Sequence, residues 1–476
     1  MELFTEEKRE RVAAMRFGMK KKDADMTQGT IWKHIVLFAF PTMLGLIFQQ
    51  LYNTVDAIIV GQFVGKEALA AVGGTGSICN TLIGLCNGLS LGATVVISQR
   101  YGAHDNEGLK KAVHTAVAAS FLLGAAATAI GIIFTEPMLH AIDTPPDVMS
   151  SASTYLTIYF AGILGQMVYN MTAAILRAVG DSQRPVVFLT VSAVINTVLD
   201  LLFVIAFRMG VAGVALATII SQAVSAVLGL VTLTREKGIF RLNWRELRID
   251  TPSLKRIISI GSPMAVQQAL TSFSNVFVQA HVNGFGSAAM AGWSTHNKLD
   301  AYVTIPITSI AQASTTFVGQ NWGARQIDRA RRGVRTSIMV SLASTAAVMA
   351  VILGFARPLL TLFTTDSSVL DFGQTAVMVC TPFYFCMCFN QILAGALRGV
   401  GNSKGPMLVM LGSFVLFRQL YLIVLDTIGP TFVWVAMSYP LGWMLCALLL
   451  YVLIYRKSVL CHPELAQIQQ KYNATA

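Results

Sequence analysis

The chain has 476 residues, 54% of them hydrophobic and only 12% charged, about half the ~25% charged share of soluble domains. Twenty-four acids and 35 bases cannot clothe the roughly three soluble domains that this length would fill, which excludes a cytosolic enzyme and a disordered scaffold. The formal charge of +11 would favour nucleic acid only if the bases shared a face open to it.

In chain order, residues 1–30 form a polar, charged tail with no cleavable signal. Twelve apolar runs follow, roughly at 33–60, 68–98, 112–134, 152–177, 185–207, 211–234, 256–282, 288–318, 334–355, 372–397, 406–426 and 431–455. Each is long enough to cross a bilayer as a helix. Pro41, Gly45, Pro263, Pro306, Pro382 and Pro440 fall inside them; packed membrane helices tolerate such residues because neighbours satisfy the freed backbone groups. The seven cysteines are an odd number with no metal-knuckle spacing, and read as small packing residues.

With a cytoplasmic N-terminus, thirty of the 35 bases fall on one side: in the tail up to Lys33, around Arg100–Lys111, Arg177–Arg184, Arg235–Arg256, Arg325–Arg335 and Arg398–Lys404, and from Arg456 onward. Lys66, Arg208, Lys298, Arg357 and Arg418 fall elsewhere, and the opposite loops carry Glu136, Asp143, Asp147, Asp366 and Asp371. The bias satisfies the positive-inside rule and predicts two cytoplasmic termini. It turns the positive charge toward anionic lipid rather than nucleic acid.

The sequence also repeats itself at an offset of 221. Gln99-Arg100-Tyr101-Gly102-Ala103 matches Gln320-Asn321-Trp322-Gly323-Ala324, and Leu176-Arg177-Ala178-Val179-Gly180-Asp181-Ser182 matches Leu397-Arg398-Gly399-Val400-Gly401-Asn402-Ser403. Two halves of six spans share one topology, as in parallel-repeat carriers. The expected fold is an all-α polytopic membrane protein: twelve transmembrane helices in two pseudo-symmetric six-helix bundles around a central cavity. Its parts are a cytoplasmic tail (1–30), an N-lobe (31–234), a cytoplasmic linker (235–255), a C-lobe (256–455) and a cytoplasmic C-terminal tail (456–476).

Three acids fall inside apolar spans: Asp56, Asp200 and Asp300. Placing an ionisable group there costs ~2.5–3.5 kcal/mol on insertion scales, so each is a candidate functional residue. Gln49, Tyr52, Asn53 and Asp56 share a helix face, as do Asn196 and Asp200; Thr218 and Asn170 are nearby candidates, and Pro41 is a hinge for the first helix. Two carboxylates with amide and hydroxyl oxygens suit either a proton or Na⁺. The repeat maps Asp56 onto about Val278, Asn196 onto Phe417 and Asp200 onto Tyr421, so the acidic pair belongs to the first half alone. The second half has its own polar set of His281, His296, Lys298, Asp300 and Arg418. There Asp300 either neutralises Lys298 or Arg418, or titrates with His296 four residues earlier. Phe277, Met264, Met290, Tyr302 and Trp293 are candidate lining for organic cations.

From Ile31 to Tyr455 these features resemble a bacterial-type multidrug and toxic compound extrusion (MATE) transporter. The resemblance rests on Pro41, Tyr52 and Asp56, on Asn196 and Asp200, on Gly213–Thr218, and on the two Leu-Arg-x-Val-Gly-[Asp/Asn]-Ser motifs. It implies that Asp56, Asn196, Asp200 and Thr218, supported by Tyr52 and Gln49, form the cation or proton site, with Na⁺ a possible occupant of the first four. It implies an ion-coupled (H⁺ or Na⁺) antiporter, not an enzyme, that exports amphipathic organic cations by alternating access. It further implies a monomer with no cofactor beyond the coupling ion, in the bacterial inner membrane and in contact with lipid. Another branch of the family uses second-lobe acids in spans 7 and 10, which this chain lacks there. A superfamily flippase for lipid-linked precursors and a non-transporting receptor are the alternatives.

Overall fold

The computed structural model describes residues 25–64, 71–142, 144–462 and 464. Most of both tails, Lys66 and Asp143 lie outside the described residues, as does the side chain of Asp147. Twelve long helices account for the expected spans. The first six are α1 (Ile31–Val64), α2 (Gly76–Gly102), α3 (Asn106–Ala141), α4 (Pro146–Ala178), α5 (Gln183–Ala206) and α6 (Gly210–Arg235). The second six are α7 (Thr251–Asn283), α8 (Ser287–Gly323), α9 (Ile327–Gly354), α10 (Ser367–Gly399), α11 (Lys404–Ile428) and α12 (Phe432–Tyr455). No strand occurs among the described residues.

Ten of the twelve are apolar enough by composition to cross a membrane. The exceptions, α7 and α8, are 33 and 37 residues long but rich in Ser, Thr and Gln. Much of the polarity of α8 is buried between helices: α8 is sheathed by α1, α2, α9 and α10, and α7 lies along α2. Several helices outrun their apolar cores. α3 begins at Asn106, six residues before the predicted run, because Asp105 accepts from the Gly108 amide at 2.9 Å and caps a charged first turn.

The repeated Gly-[Asp/Asn]-Ser motif is a helix exit followed by a helix entry. Gly180 and Gly401 have φ of 94° and 95°, a region L side chains rarely enter. The Asp181 and Asn402 amides then close back on the Leu176 and Leu397 carbonyls, each at 2.9 Å. Asp181 goes on to accept from the Gln183 amide at 3.1 Å, and Asn402 from the Gly405 amide at 3.0 Å, starting α5 and α11.

The lobes meet along a seam of small residues. Gly88 and Gly92 of α2 lie so close to Gly261 and Ala265 of α7 that a Cβ on either would strike the facing backbone, the close approach small residues permit between membrane helices. At the arginine-rich end the other repeated motif crosses itself. A Cβ on Gly102 would collide with the Gln320 carbonyl, and one on Gly323 with the Gln99 carbonyl. With the helix ends this close, the Gln99 side-chain amide donates to the Gly399 carbonyl at 2.7 Å, and Gln320 to the Ala178 carbonyl at 2.8 Å.

Candidate functional site

In the first lobe, α1 and α5 bring Asp56 and Asp200 together. The two carboxyls lie within electrostatic reach of one another. Neither oxygen of Asp200 nor Oδ1 of Asp56 has a hydrogen-bond partner, and the side-chain amide of Asn196 has none at either atom. Asp200 is fully buried and Asn196 is 1% exposed. Two neighbouring carboxyls without donors repel one another when both are ionised, and a proton or a cation at the pair relieves that repulsion. A buried polar set left this short of partners is costly as a structural device, which marks it as a candidate site.

The surroundings sort the other sequence candidates. Tyr52 lies beside Gln49 and within electrostatic reach of Asp56. Thr218 gives its hydroxyl proton to the Val214 carbonyl at 3.0 Å, leaving only its lone pairs for an ion. Asn53 is exposed, and Asn170 is half-buried; neither makes a hydrogen bond to the pair. α1 continues through Pro41 without a break. Its irregular turn lies instead at Val60–Val64, just beyond Asp56, where it winds as a π-helix; a second π-turn, Leu201–Ala206, follows Asp200 directly. Such turns widen the helix where regular bonding is given up, and often mark functional positions.

One contributor was not legible in the sequence. Tyr155 of α4 is buried, and its hydroxyl lies within electrostatic reach of Asp56, Asp200 and Tyr52. It packs along Tyr159 at 6.1 Å, and Tyr159 donates to Gln166 at 3.1 Å. Two tyrosines one helical turn apart in an otherwise apolar span were the available signal.

The second-lobe set does not form one site. His281 sits at the far end of α7 and meets Asp426, Nε2 to Oδ2 3.2 Å. Asp300 bonds the Tyr384 hydroxyl, not Lys298, Arg418 or His296. Lys298 stands over the Phe363 ring at 5.0 Å. His296 is buried beside Trp293, ring centroids 5.2 Å apart, with Nδ1 unpartnered. The helical spacing that aligned His296 with Asp300 set a shared face, but Tyr384 on α10 supplies the nearer donor. Trp293 itself is 3% exposed, so it is core and not cavity lining; Phe277, Met290 and Tyr302 are exposed and keep that possibility.

Arg418 is the unusual member. It is 2% exposed, donates to Asn275 Oδ1 at 2.7 Å and lies 4.2 Å from the centre of the Tyr439 ring. No carboxylate pairs with it among the described residues. Its position corrects the repeat alignment. α11 contains a π-turn, Gly412–Phe417, which inserts one residue ahead of Arg418, whereas in α5 the π-turn comes only after Asp200. Beyond that insertion the offset becomes 222, so Asn196 corresponds to Arg418 and Asp200 to Leu422, not to Phe417 and Tyr421. Burial agrees: Asn196, Asp200, Arg418 and Leu422 are buried, while Phe417 and Tyr421 are not. At the pseudo-equivalent place, the second lobe carries the Arg418 guanidinium where the first carries the Asn196 amide, and Leu422 where the first carries Asp200.

Comparison with known proteins agrees with this architecture. The MatE family model matches residues 41–202 and 263–421, one segment in each lobe. The chain is similar to the probable multidrug resistance protein YpnP of Bacillus subtilis, at 29% identity over 402 residues, 83% of this chain and 89% of that one. It is similar to the probable multidrug resistance protein NorM of Thermotoga maritima, at 26% identity over 394 residues, 80% and 82% of the two chains. Among solved structures it resembles a MOP superfamily transporter from Pyrococcus furiosus, with a TM-score of 0.86 at 24% identity over 93% of this chain and 99% of that one. A MATE structure in complex with MaL6 also scores 0.86, at 22% identity over 96% of this chain and all of that one. The fold is therefore twelve membrane helices in two six-helix bundles.

Proposed function

The chain belongs to the MatE family, and on that premise we propose that it is an H⁺- or Na⁺-coupled antiporter exporting amphipathic, mainly cationic compounds. It is a multi-pass membrane transporter of multidrug-efflux type and not an enzyme. The observation that carries the coupling is the donor-poor pair of half-buried Asp56 and fully buried Asp200.

In this mechanism an ion enters from outside and neutralises the pair. Loading satisfies carboxyl oxygens that otherwise lack partners, and removes the negative charge that retains a cationic drug. The drug leaves, the lobes rock about their seam, and the ion is released inward down its gradient. Asn196 and the lone pairs of Thr218 complete an oxygen set for Na⁺, while a proton needs only the two carboxyls. The arginine-rich loops support both termini being cytoplasmic in the inner membrane. Both lobes come from one chain, which supports a monomer.

The test is dye efflux from proteoliposomes under an imposed pH gradient or an imposed Na⁺ gradient, applied separately. One gradient is expected to drive efflux, and Asp56→Asn or Asp200→Asn to reduce it to the level of protein-free vesicles. Wild-type rates in both variants would sink the assignment.

A further inference from the structure

The linker between the lobes is a folded plate, not a tether. The Leu242 amide donates to the Leu233 carbonyl at 2.9 Å, the Asn243 amide to His114 Nε2 at 3.0 Å, and the Asp250 amide to Thr115 at 2.9 Å. Lys110 pairs with Glu246, and the Trp244 ring donates to Thr234 at 3.1 Å. These bonds lay residues 240–250 against α3 and leave a groove of about 600 Å³, lined by Phe121, Leu122, Trp244, Leu247, Arg248 and Ile249. Leu122, Trp244 and Ile249 are 60%, 48% and 42% exposed.

Position and charge identify what fits there. α3 has 36 residues, about 54 Å at 1.5 Å per residue, against a hydrocarbon core of ~30 Å. Counting about twenty residues back from Glu136 places the inner edge of that core near Ala116. The groove at Phe121 and Leu122 therefore opens where acyl chains meet headgroups. The acids nearby are engaged: Glu246 with Lys110, Glu107 with Lys111 at 2.6 Å, Glu236 with Arg184 at 2.8 Å, and Asp250 with the Ser253 amide at 3.0 Å. Exposed Arg245 and Arg248 have no carboxylate partner among the described residues, and Arg241 reaches only the Thr234 carbonyl. An apolar groove at the hydrocarbon edge, rimmed by uncompensated guanidinium groups, matches an acyl chain carrying an anionic phosphate.

We propose that this linker groove is a binding site for an anionic phospholipid, with the acyl chain lying over the contacting rings of Phe121 and Trp244, 6.2 Å apart, and along Leu122 and Ile249, and the phosphate at Arg245 and Arg248. The site joins lipid to the segment connecting the two lobes, because the same plate ends at Asp250, the cap of α7.

The test is native mass spectrometry of the purified full-length protein titrated with phosphatidylglycerol or phosphatidylcholine. Each basic residue near an anionic surface contributes about fivefold. Wild type should prefer phosphatidylglycerol, and Arg245→Gln/Arg248→Gln should weaken that binding about 25-fold without changing phosphatidylcholine binding. Trp244→Ala should weaken both lipids. Soluble glycerol phosphate at the same concentration should fail to compete; competition would assign the site to a free phosphate instead. Equal binding of the two lipids, or no change in the double arginine variant while its thermal midpoint stays at the wild-type value, would overturn the proposal.

Discussion

Gln99 and Gln320, which occupy the same place in the two halves of the sequence, make the same bond in opposite directions across the lobe seam: to Gly399 at 2.7 Å and to Ala178 at 2.8 Å. The acceptors are themselves 221 residues apart. Each glutamine is also an acceptor, Gln99 from Arg256 at 2.7 Å and Gln320 from the Met26 amide at 3.0 Å. The Gln-x-x-Gly repeat is thus a two-sided clasp, with glycine letting the helix ends cross and glutamine tying them.

The clasp should set how readily the lobes part at the arginine-rich end. A net hydrogen bond contributes about 1 kcal/mol, so Gln99→Leu or Gln320→Leu should each shift the population of the parted state about fivefold. Gly323→Ala, which drives a methyl into the Gln99 carbonyl, should shift it further. Distance distributions between spin labels placed near Tyr101 and Trp322 would report this; unchanged distributions in all three variants would deny the clasp a gating role.

The carboxyl pair should show a trade of stability for function. Asp200 contributes a buried charge with no donor, a burden that a neutral isostere relieves. Asp200→Asn gives Asp56 an amide donor and removes the repulsion. It should stabilise the purified protein by about 1–2 kcal/mol, seen as a higher thermal midpoint, while gradient-driven dye efflux disappears. A variant that lost both transport and stability would show that the pair is structural.

The buried guanidinium of the second lobe leads to a different expectation for Arg418. Arg418→Gln keeps a donor for Asn275 but removes the guanidinium over Tyr439, a contact of about 0.5–2 kcal/mol, and also relieves a buried unpaired cation. The two effects oppose each other, so stability should change little. Ion-driven efflux should persist, because the proposed coupling pair, Asp56 and Asp200, lies in the other lobe. Loss of the ion dependence as complete as in Asp200→Asn would place a coupling group in the second lobe.

What the sequence revealed followed from period and charge. Spans, orientation bias and repeat are written in apolar runs, arginines and Gly-Pro spacing, and Asp56 and Asp200 stood out because so few acids lie at depth. Contacts between helices far apart in sequence were not legible: Tyr384 as the partner of Asp300, Asp426 as the partner of His281, and Tyr155 beside the acidic pair. The one-residue slip that brings Arg418 opposite Asn196 was hidden for another reason. A π-turn adds a residue without altering the apolar pattern, so the fixed offset of the repeat carried no trace of it. The linker read as a charged connector because its bases dominate its composition, whereas its fold depends on Leu242, Trp244 and backbone amides meeting His114 and Thr115.

Asp300 lies within α8, Tyr384 is fully buried on α10, and the phenol is the hydrogen-bond donor to that carboxyl. The Tyr384 ring also leans on Trp443, centroids 5.1 Å apart, so the ring is held by packing whether or not the hydroxyl is present. Tyr384→Phe should then keep the packing and strand the carboxylate, costing about 1.5–3 kcal/mol. Asp300→Ala should cost less in the Tyr384→Phe background than in the wild type, giving a coupling of at least about 1 kcal/mol in a double-mutant cycle of thermal unfolding. Additive effects of the two substitutions would mean that the pair acts independently and that Asp300 draws its support from elsewhere in the lobe.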